Sequence, residues 1–339
     1  MQFKKAITIA LSLLLAIALS GCSSTNGSSS SKAGSSGAPI TLKFAHVGSL
    51  IHQDNIYAED FKKMIEKDSK GKIKVKIYPN GQLGAEDAEI QGVQTGSIDM
   101  TEVAADSSLA QVVPVMNVFG IPYLMNTRSQ VYHVLDGGIG SSLLKEVDKH
   151  QLIGLGFSEV GFRNITNSKH PIKTPADMKG LKIRIQPAPV WNAFMKELGA
   201  VPTSISFTEL YSSLQQGVVD GQENPIATIN AMKFYEVNKY LSLTKHSYTA
   251  NVVLMSPATW KKLSPDQQKL VKADVQKAYA EQRDYLAKTE QQTLNNLKAK
   301  GIIITNPDIA AFKAATKNSA NAIAKFVPKS LVNKIENTK

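Results

Sequence analysis

From Ser264 to about Lys298 the chain carries no interior glycine or proline. At its head, Ser264-Pro265-Asp266-Gln267 has the form of a capping box with proline at the first helical position. Val271, Val275, Ala278, Tyr285, Leu286 and Thr289 recur at helical spacing. The stretch is one very long helix or two nearly collinear ones. At roughly 1.5 Å per residue it is long enough to cross two lobes.

Length leads to the same expectation. The chain has 339 residues, and a single hydrophobic core stops growing near roughly 250 to 300. Hydrophobic content of 42% and charged content of 20% are those of a soluble globular body. No interior stretch is apolar for long enough to span a bilayer.

Ahead of the long helix the pattern alternates. Strands are expected at 41–46, 72–78 and 98–103, and helices at about 53–67 and 86–95, the latter ending at Gly96 as a C-cap. Tyr78-Pro79-Asn80-Gly81 is a turn. Such alternation predicts an α/β body with a largely parallel sheet. Gln94 to Asp99 reads Q-x-G-x-[IV]-D, and so does Gln215 to Asp220. The echo fits two lobes of similar construction. Thr174-Pro175 marks a helix start, Ser206 to Glu209 has the form of another capping box, and 307–326 is helical again.

The N-terminus is an export signal. Lys4 and Lys5 precede an apolar run, Ala6 to Leu19, followed by Leu19-Ser20-Gly21-Cys22. This resembles a bacterial lipobox, which implies cleavage after residue 21 and lipidation of Cys22. The alternative is an ordinary signal peptide that happens to contain a cysteine. Cys22 is the sole cysteine, so no intramolecular disulfide can form, and lipidation would consume an otherwise exposed thiol. Residues 23–38 are nearly all Ser, Gly, Ala, Thr and Asn and read as a flexible tether, with the solute-binding body at 39–335. The expected location is outside the cell membrane and anchored to it. The net charge of +11 falls to +9 when Lys4 and Lys5 leave with the signal. The lysines are scattered, as in 72–78, which describes a solvated face rather than a nucleic-acid site.

Catalytic signatures are missing from the sequence. It has no H-E-x-x-H, G-x-S-x-G or P-loop, and Gly154, Gly156 and Gly161 miss the dinucleotide spacing. The histidines make no metal-ligand cluster apart from the loose pair His46 and His52. No cofactor is expected. A tethered two-lobed body of this kind suits a protein that closes on a small ligand.

Leu181 to Gln186, LKIRIQ, alternates as a half-buried strand with Lys182, Arg184 and Gln186 on its polar face. It sits in an ordered series: Gly161 to Asn167, Pro171-Ile172, Pro175 to Arg184, Leu198 to Ala200, Phe207 to Tyr211 and Val219 to Pro225, with Tyr78 to Gly84 upstream. The series resembles the extracytoplasmic solute receptors of TRAP transporters, of the dicarboxylate-receptor type, over about residues 41–335. The resemblance implies a type II periplasmic-binding-protein-like fold: two α/β lobes, hinge strands and a long helix across both. Lobe 1 would take about 39–160 with parts of 250–300, and lobe 2 about 161–250 with the C-terminal helices.

It also implies a ligand, an organic acid such as a dicarboxylate, hydroxy acid or sugar acid, gripped by Arg184. A guanidinium is planar, always charged and matched to two carboxylate oxygens. Arg163 matches a second arginine near the ligand, with an interlobe salt bridge as its alternative role. Asn224 matches a ligand-facing asparagine, or a helix N-cap before Pro225. Phe207 matches an aromatic wall, or ordinary core. His46, at the end of the first strand, is a candidate donor or a structural histidine. Gln186 and Trp191 are further candidates, and Glu209 fits a capping role. The sialic-acid-binding branch has polar groups where this chain aligns Val47, Ala104 and Pro187, so sialic acid is disfavoured. The expected protein is a monomeric, lipid-anchored receptor serving a TRAP permease. A receptor for an ATP-driven importer and a secreted lipoprotein hydrolase are the alternatives.

Overall fold

The structure is a computed structural model that describes residues 38–339. The signal segment, Cys22 and the tether up to residue 37 lie outside the described residues. The body opens with β1 (Ile40–Ala45), α1 (Gln53–Asp68), β2 (Ile73–Tyr78), α2 (Glu86–Thr95) and β3 (Met100–Ala104). A helical stretch follows: α3 (Ser108–Val112), α4 (Arg128–Asp136) and α5 (Gly138–Asp148). Then come β4 (Ile153–Asn167), β5 (Lys182–Ile185), α6 (Pro189–Glu197), β6 (Val201–Ser204), α7 (Leu210–Gln215), β7 (Gly221–Pro225) and α8 (Ile226–Ala231). The chain ends with β8 (Tyr240–Ser242), β9 (Tyr248–Met255), α9 (Pro257–Trp260), α10 (Pro265–Ala299), β10 (Ile303–Thr305), α11 (Ile309–Ala315) and α12 (Lys329–Glu336).

The sheet runs β2-β1-β3-β9-β4-β7-β5-β6, with β8 on β4 and β10 on β8. Its wings are parallel: β2 and β3 flank β1, and β6 and β7 flank β5. The joint between them is antiparallel, because β4 and β9 pair in opposite directions. The expectation of a largely parallel sheet therefore holds for the wings and fails at the joint. β4 pairs with β9 over Ile153–Phe162, then with β7 and β8 over Arg163–Asn167. Its register slips between Glu159 and Gly161, where Gly161 takes φ +118°, a conformation that favours glycine. One 15-residue strand thus belongs to both wings and bends in between.

The sequence echo is a structural repeat. Gly96 and Gly217 both follow a helix with positive φ. Asp99 Oδ2 accepts from Lys43 N at 2.8 Å, and Asp220 Oδ2 accepts from Lys182 N at 2.9 Å. Each aspartate ties its loop to the central strand of its own wing, β1 or β5.

α10 is one continuous helix, started by the Ser264–Gln267 capping box. Near its start Val271, Val275 and Ala278 pack with Phe44, Tyr57 and Phe61. Near its end Leu297 packs with Leu210, Phe234 and Leu241. The two ends therefore serve different cores. Tyr285, which shares the helical spacing of Val271 and Leu286, is 48% exposed. Ser206–Glu209 does not form a capping box: the Ser206 hydroxyl donates to the Glu209 carboxylate at 2.6 Å, and residues 207–209 make a short 3-10 turn before α7. The C-terminal segment is α11, a 3-10 turn at Ser319–Ile323 and α12, with Phe312, Ile323 and Ile335 buried in the core that holds α6.

Candidate functional site

Parallel wings that meet at a joint leave a crevice at the carboxyl ends of their strands, where α/β proteins bind ligands. A cavity of about 370 Å³, including its opening to solvent, lies there. Val47 after β1, His52 and Asp54 at the start of α1, Glu86 of α2 and Ala104 of β3 line it from the first wing. Arg184 and Gln186 of β5 and its continuation, Phe207, Asn224 of β7 and Thr228 of α8 line it from the second. Val160 and Arg163 of β4 and Thr249 and Asn251 of β9 form the back wall.

Arg184 is 2% exposed. Its Nε donates to the Ile205 carbonyl at 2.8 Å, and its Nη groups have no hydrogen-bond partner among the described residues. Burial pushes its pKa down to about 10, against the pull of Glu223 and Glu86 and with the push of Arg163. Gln186 shares the strand face two residues on, and its Nε2 is buried without a partner among the described residues.

Arg163 is committed. Its Nε and Nη2 hold the Glu223 carboxylate, with Nη2 to Oε1 at 2.9 Å, and Nη2 also reaches Asn224 Oδ1 at 3.1 Å. Nη1 donates to Thr249 Oγ1 at 3.1 Å, which donates on to Asp106 Oδ2 at 3.0 Å. The pair lies within the β4–β7 ladder and is not an interlobe bridge. Burial alone would raise the Glu223 pKa, but Arg163 and His246 outweigh it and hold the carboxyl below its usual range. Burial pushes Asp106 up to about 7 in spite of Arg163.

Other expected positions sort cleanly. Phe207 walls the cavity, its ring centroid 6.0 Å from that of His52, and it also packs beside Phe234. Asn224 faces the cavity but is no helix cap. It stays in β7 opposite Asn164, and Pro225 is the cap residue of α8, since a residue before proline is driven to extended backbone. Trp191 is fully buried, donates to the Asp106 carbonyl at 2.9 Å and lies under the Arg163 guanidinium, so it supports the wall without lining it.

His46 is not in the cavity. It continues the buried alternation of Leu42 and Phe44, so its ring points into the core, 6.5 Å from Phe44. Burial lowers its pKa and keeps it neutral. The histidine that lines the cavity is His52, with Nδ1 3.0 Å from Asp54 Oδ2 and Nε2 3.2 Å from Thr228 Oγ1. Sequence reasoning also missed Asp54, Glu86, Thr249 and Asn251. A signal existed for the last two: Thr249 and Asn251 alternate within an otherwise apolar strand, YTANVVLM. Glu86 accepts from Ala104 N at 3.0 Å and from the Ser107 hydroxyl at 2.9 Å, and burial raises its pKa. Among the described residues no three acidic, histidine or cysteine side chains converge as a metal site.

The cavity can therefore offer buried, charged N–H donors to a small anion. The 2,3-diketo-L-gulonate-binding periplasmic protein YiaO of Escherichia coli is 36% identical over 296 residues, covering 87% of this chain and 90% of that protein. The crystal structure of a TRAP periplasmic solute binding protein from Bordetella bronchispeptica, with density interpreted as pantoate, superposes with a TM-score of 0.86 at 37% identity, covering 88% of this chain and 99% of the other. One from a Polaromonas species, bound to D-erythronate, gives a TM-score of 0.86 at 34% identity, with 88% and 99% covered. The DctP family model, described as bacterial extracellular solute-binding protein, family 7, matches residues 44–325. This chain belongs to that family of extracellular solute-binding proteins, whose two-lobed α/β fold it shares.

Proposed function

We propose that this chain is a lipid-anchored, monomeric receptor that captures a small organic acid in the cavity and hands it to the membrane subunits of a TRAP transporter. The single observation that carries this reading is Arg184, a buried guanidinium whose Nη groups have no partner among the described residues. An unpaired buried cation is costly, and a ligand carboxylate would relieve that cost through two parallel hydrogen bonds. Gln186 adds a third N–H beside it, and Phe207 and Asn224 shape the walls. Arg163, neutralised by Glu223, fixes the back wall without being the main grip. The names of the similar proteins, which carry a diketogulonate, pantoate and erythronate, support an acid ligand. Membership of a solute-binding family sets the hydrolase alternative aside. Cleavage after residue 21 and lipidation of Cys22 would leave residues 23–38 as the tether.

A thermal-shift screen of organic acids against their amides tests the grip. A ligand that binds only the folded state adds about 2.7 kcal/mol at a hundredfold excess over Kd. An acid should shift the melting temperature, its amide should not, and Arg184→Ala should abolish the shift. A shift unchanged in Arg184→Ala would end this reading. Cys22→Ser should move the protein from the membrane fraction to the soluble one; retention at the membrane would refute the anchor.

A further inference from the structure

The cavity has a donor wall and an acceptor wall. The donor wall is β5 and its continuation, where Arg184 and Gln186 bring N–H groups to one place. That place suits one carboxylate. The cavity's other guanidinium, Arg163, is already held by Glu223, Asn224 and Thr249. The acceptor wall comes from α1, α2 and β9. Asp54 Oδ1 accepts from Asn251 Nδ2 at 3.0 Å, and Asn251 Oδ1 has no partner among the described residues. Each Glu86 oxygen accepts a single protein hydrogen bond, although a carboxylate has about four acceptor sites in all. Among the described residues no lysine lines the cavity, and no arginine lines it besides Arg163 and Arg184.

We propose that the cavity selects a hydroxylated monocarboxylate, a hydroxy acid or sugar acid, over a dicarboxylate, with Asp54 and Glu86 as the residues that set the preference. The proposal rests on the carboxylate grip of Arg184 argued above. Hydroxyl groups can donate to Asp54, Glu86 and Asn251 while the acid end sits on Arg184 and Gln186. A second carboxylate can donate nothing. It would meet the carboxyl groups of Asp54 and Glu86 while His52 already lies against Asp54 and Arg184, whose charge reaches Glu86, is engaged by the first carboxylate, and like-charge juxtaposition is strongly disfavoured in a desolvated site.

Calorimetric titration of the purified protein near neutral pH tests this with acids matched in length: D-erythronate against succinate, and D-galactonate against adipate. In at least one pair the hydroxylated monoacid should bind about tenfold or more tightly than the diacid. Glu86→Gln and Asp54→Asn, each checked for folding by its melting curve, should narrow that ratio severalfold. A diacid that binds as tightly as its hydroxylated partner in both pairs overturns the preference and leaves the carboxylate grip standing. A ratio unchanged in both folded variants overturns the assignment to Asp54 and Glu86. Failure of every acid in both classes removes the grip itself and this proposal with it. If the variants do not fold, the wild-type ratios alone decide the preference.

Discussion

His52 and Thr228 meet across the cleft, with His52 Nε2 3.2 Å from Thr228 Oγ1. His52 caps α1 in one lobe, and Thr228 belongs to α8 in the other. Gln53 Nε2 reaches the same hydroxyl at 2.7 Å, and the Ser49 hydroxyl donates to the Ala231 carbonyl at 3.2 Å. One hydroxyl thus gathers two side chains from the opposite rim. Thr228→Val keeps the shape and removes that hydroxyl, leaving His52 and Gln53 short of a partner. A buried donor without its acceptor costs about 1–3 kcal/mol. If this contact holds the ligand-bound form shut, the acid should leave about tenfold faster while its on-rate changes little. Stopped-flow release would show this, and Thr228→Ser should restore the wild-type rate. Equal release from Thr228→Val and wild type would show that the contact is not a latch.

Arg184 should be a liability to the empty protein. Its pKa, pushed down to about 10, marks a cation that burial compensates poorly. Replacing a buried charge with an apolar residue of similar size is often neutral or stabilising by about 1–4 kcal/mol. Arg184→Met should therefore leave ligand-free stability unchanged or raised in urea unfolding, while acid binding is lost. A clear loss of stability would mean that the bond from Nε to the Ile205 carbonyl supports the fold.

Glu89 makes stability depend on pH. It is buried, accepts from the Thr101 hydroxyl at 2.8 Å, and its other oxygen has no partner among the described residues. Burial raises its pKa from 4.5 to about 8. The folded chain keeps a proton that the unfolded chain releases. The stabilisation is complete below about pH 4.5 and disappears as pH rises through about 8. Glu89→Gln should flatten the melting profile across that window and be more stable than wild type above it, by about 1–3 kcal/mol. Parallel profiles for the two proteins would place the proton elsewhere.

Arg128 braces the bend in β4. It donates to Glu159 Oε1 at 3.0 Å and to Glu290 Oε2 at 2.6 Å, tying the bulged strand to α10, and the Tyr132 hydroxyl donates to Glu159 Oε2 at 2.6 Å. Arg128→Met leaves the fully buried Glu159 without its cation. Such a loss costs about 3–5 kcal/mol for a fully buried pair. The 27% exposure of Arg128 reduces the expectation to about 1–3 kcal/mol. Glu290→Gln should cost less than about 1 kcal/mol, because that partner is 26% exposed whereas Glu159 is fully buried. Equal losses in urea unfolding would show that Glu159 carries no special weight.

Much of the fold was legible because its elements are specified locally. The span without proline or glycine from Ser264 made α10 readable as a helix, and the Gln-x-Gly echo marked the equivalent loops that Asp99 and Asp220 close. LKIRIQ displayed its alternation, and the resemblance turned Arg184 toward a ligand. Read along the chain, His46 stands open between a donor and a structural histidine, although the information to choose is present: parity with Leu42 and Phe44 sends its ring into the core.

The sequence by itself determined the helices and strands, the apolar face of each, and the residue types able to hold an acid. Periodicity and capping act within a few residues, so they can be read along the chain. Only the tertiary structure decided which of those residues is free to act. Arg163 and Arg184 look alike as sequence, yet Glu223, 60 residues away, occupies the first and leaves the second open. Likewise His52 takes the place expected of His46 because α1 starts at the crevice while β1 runs into the core. Pairing and desolvation depend on distances through space, and these exist only once both wings of the sheet are joined at β4 and β9.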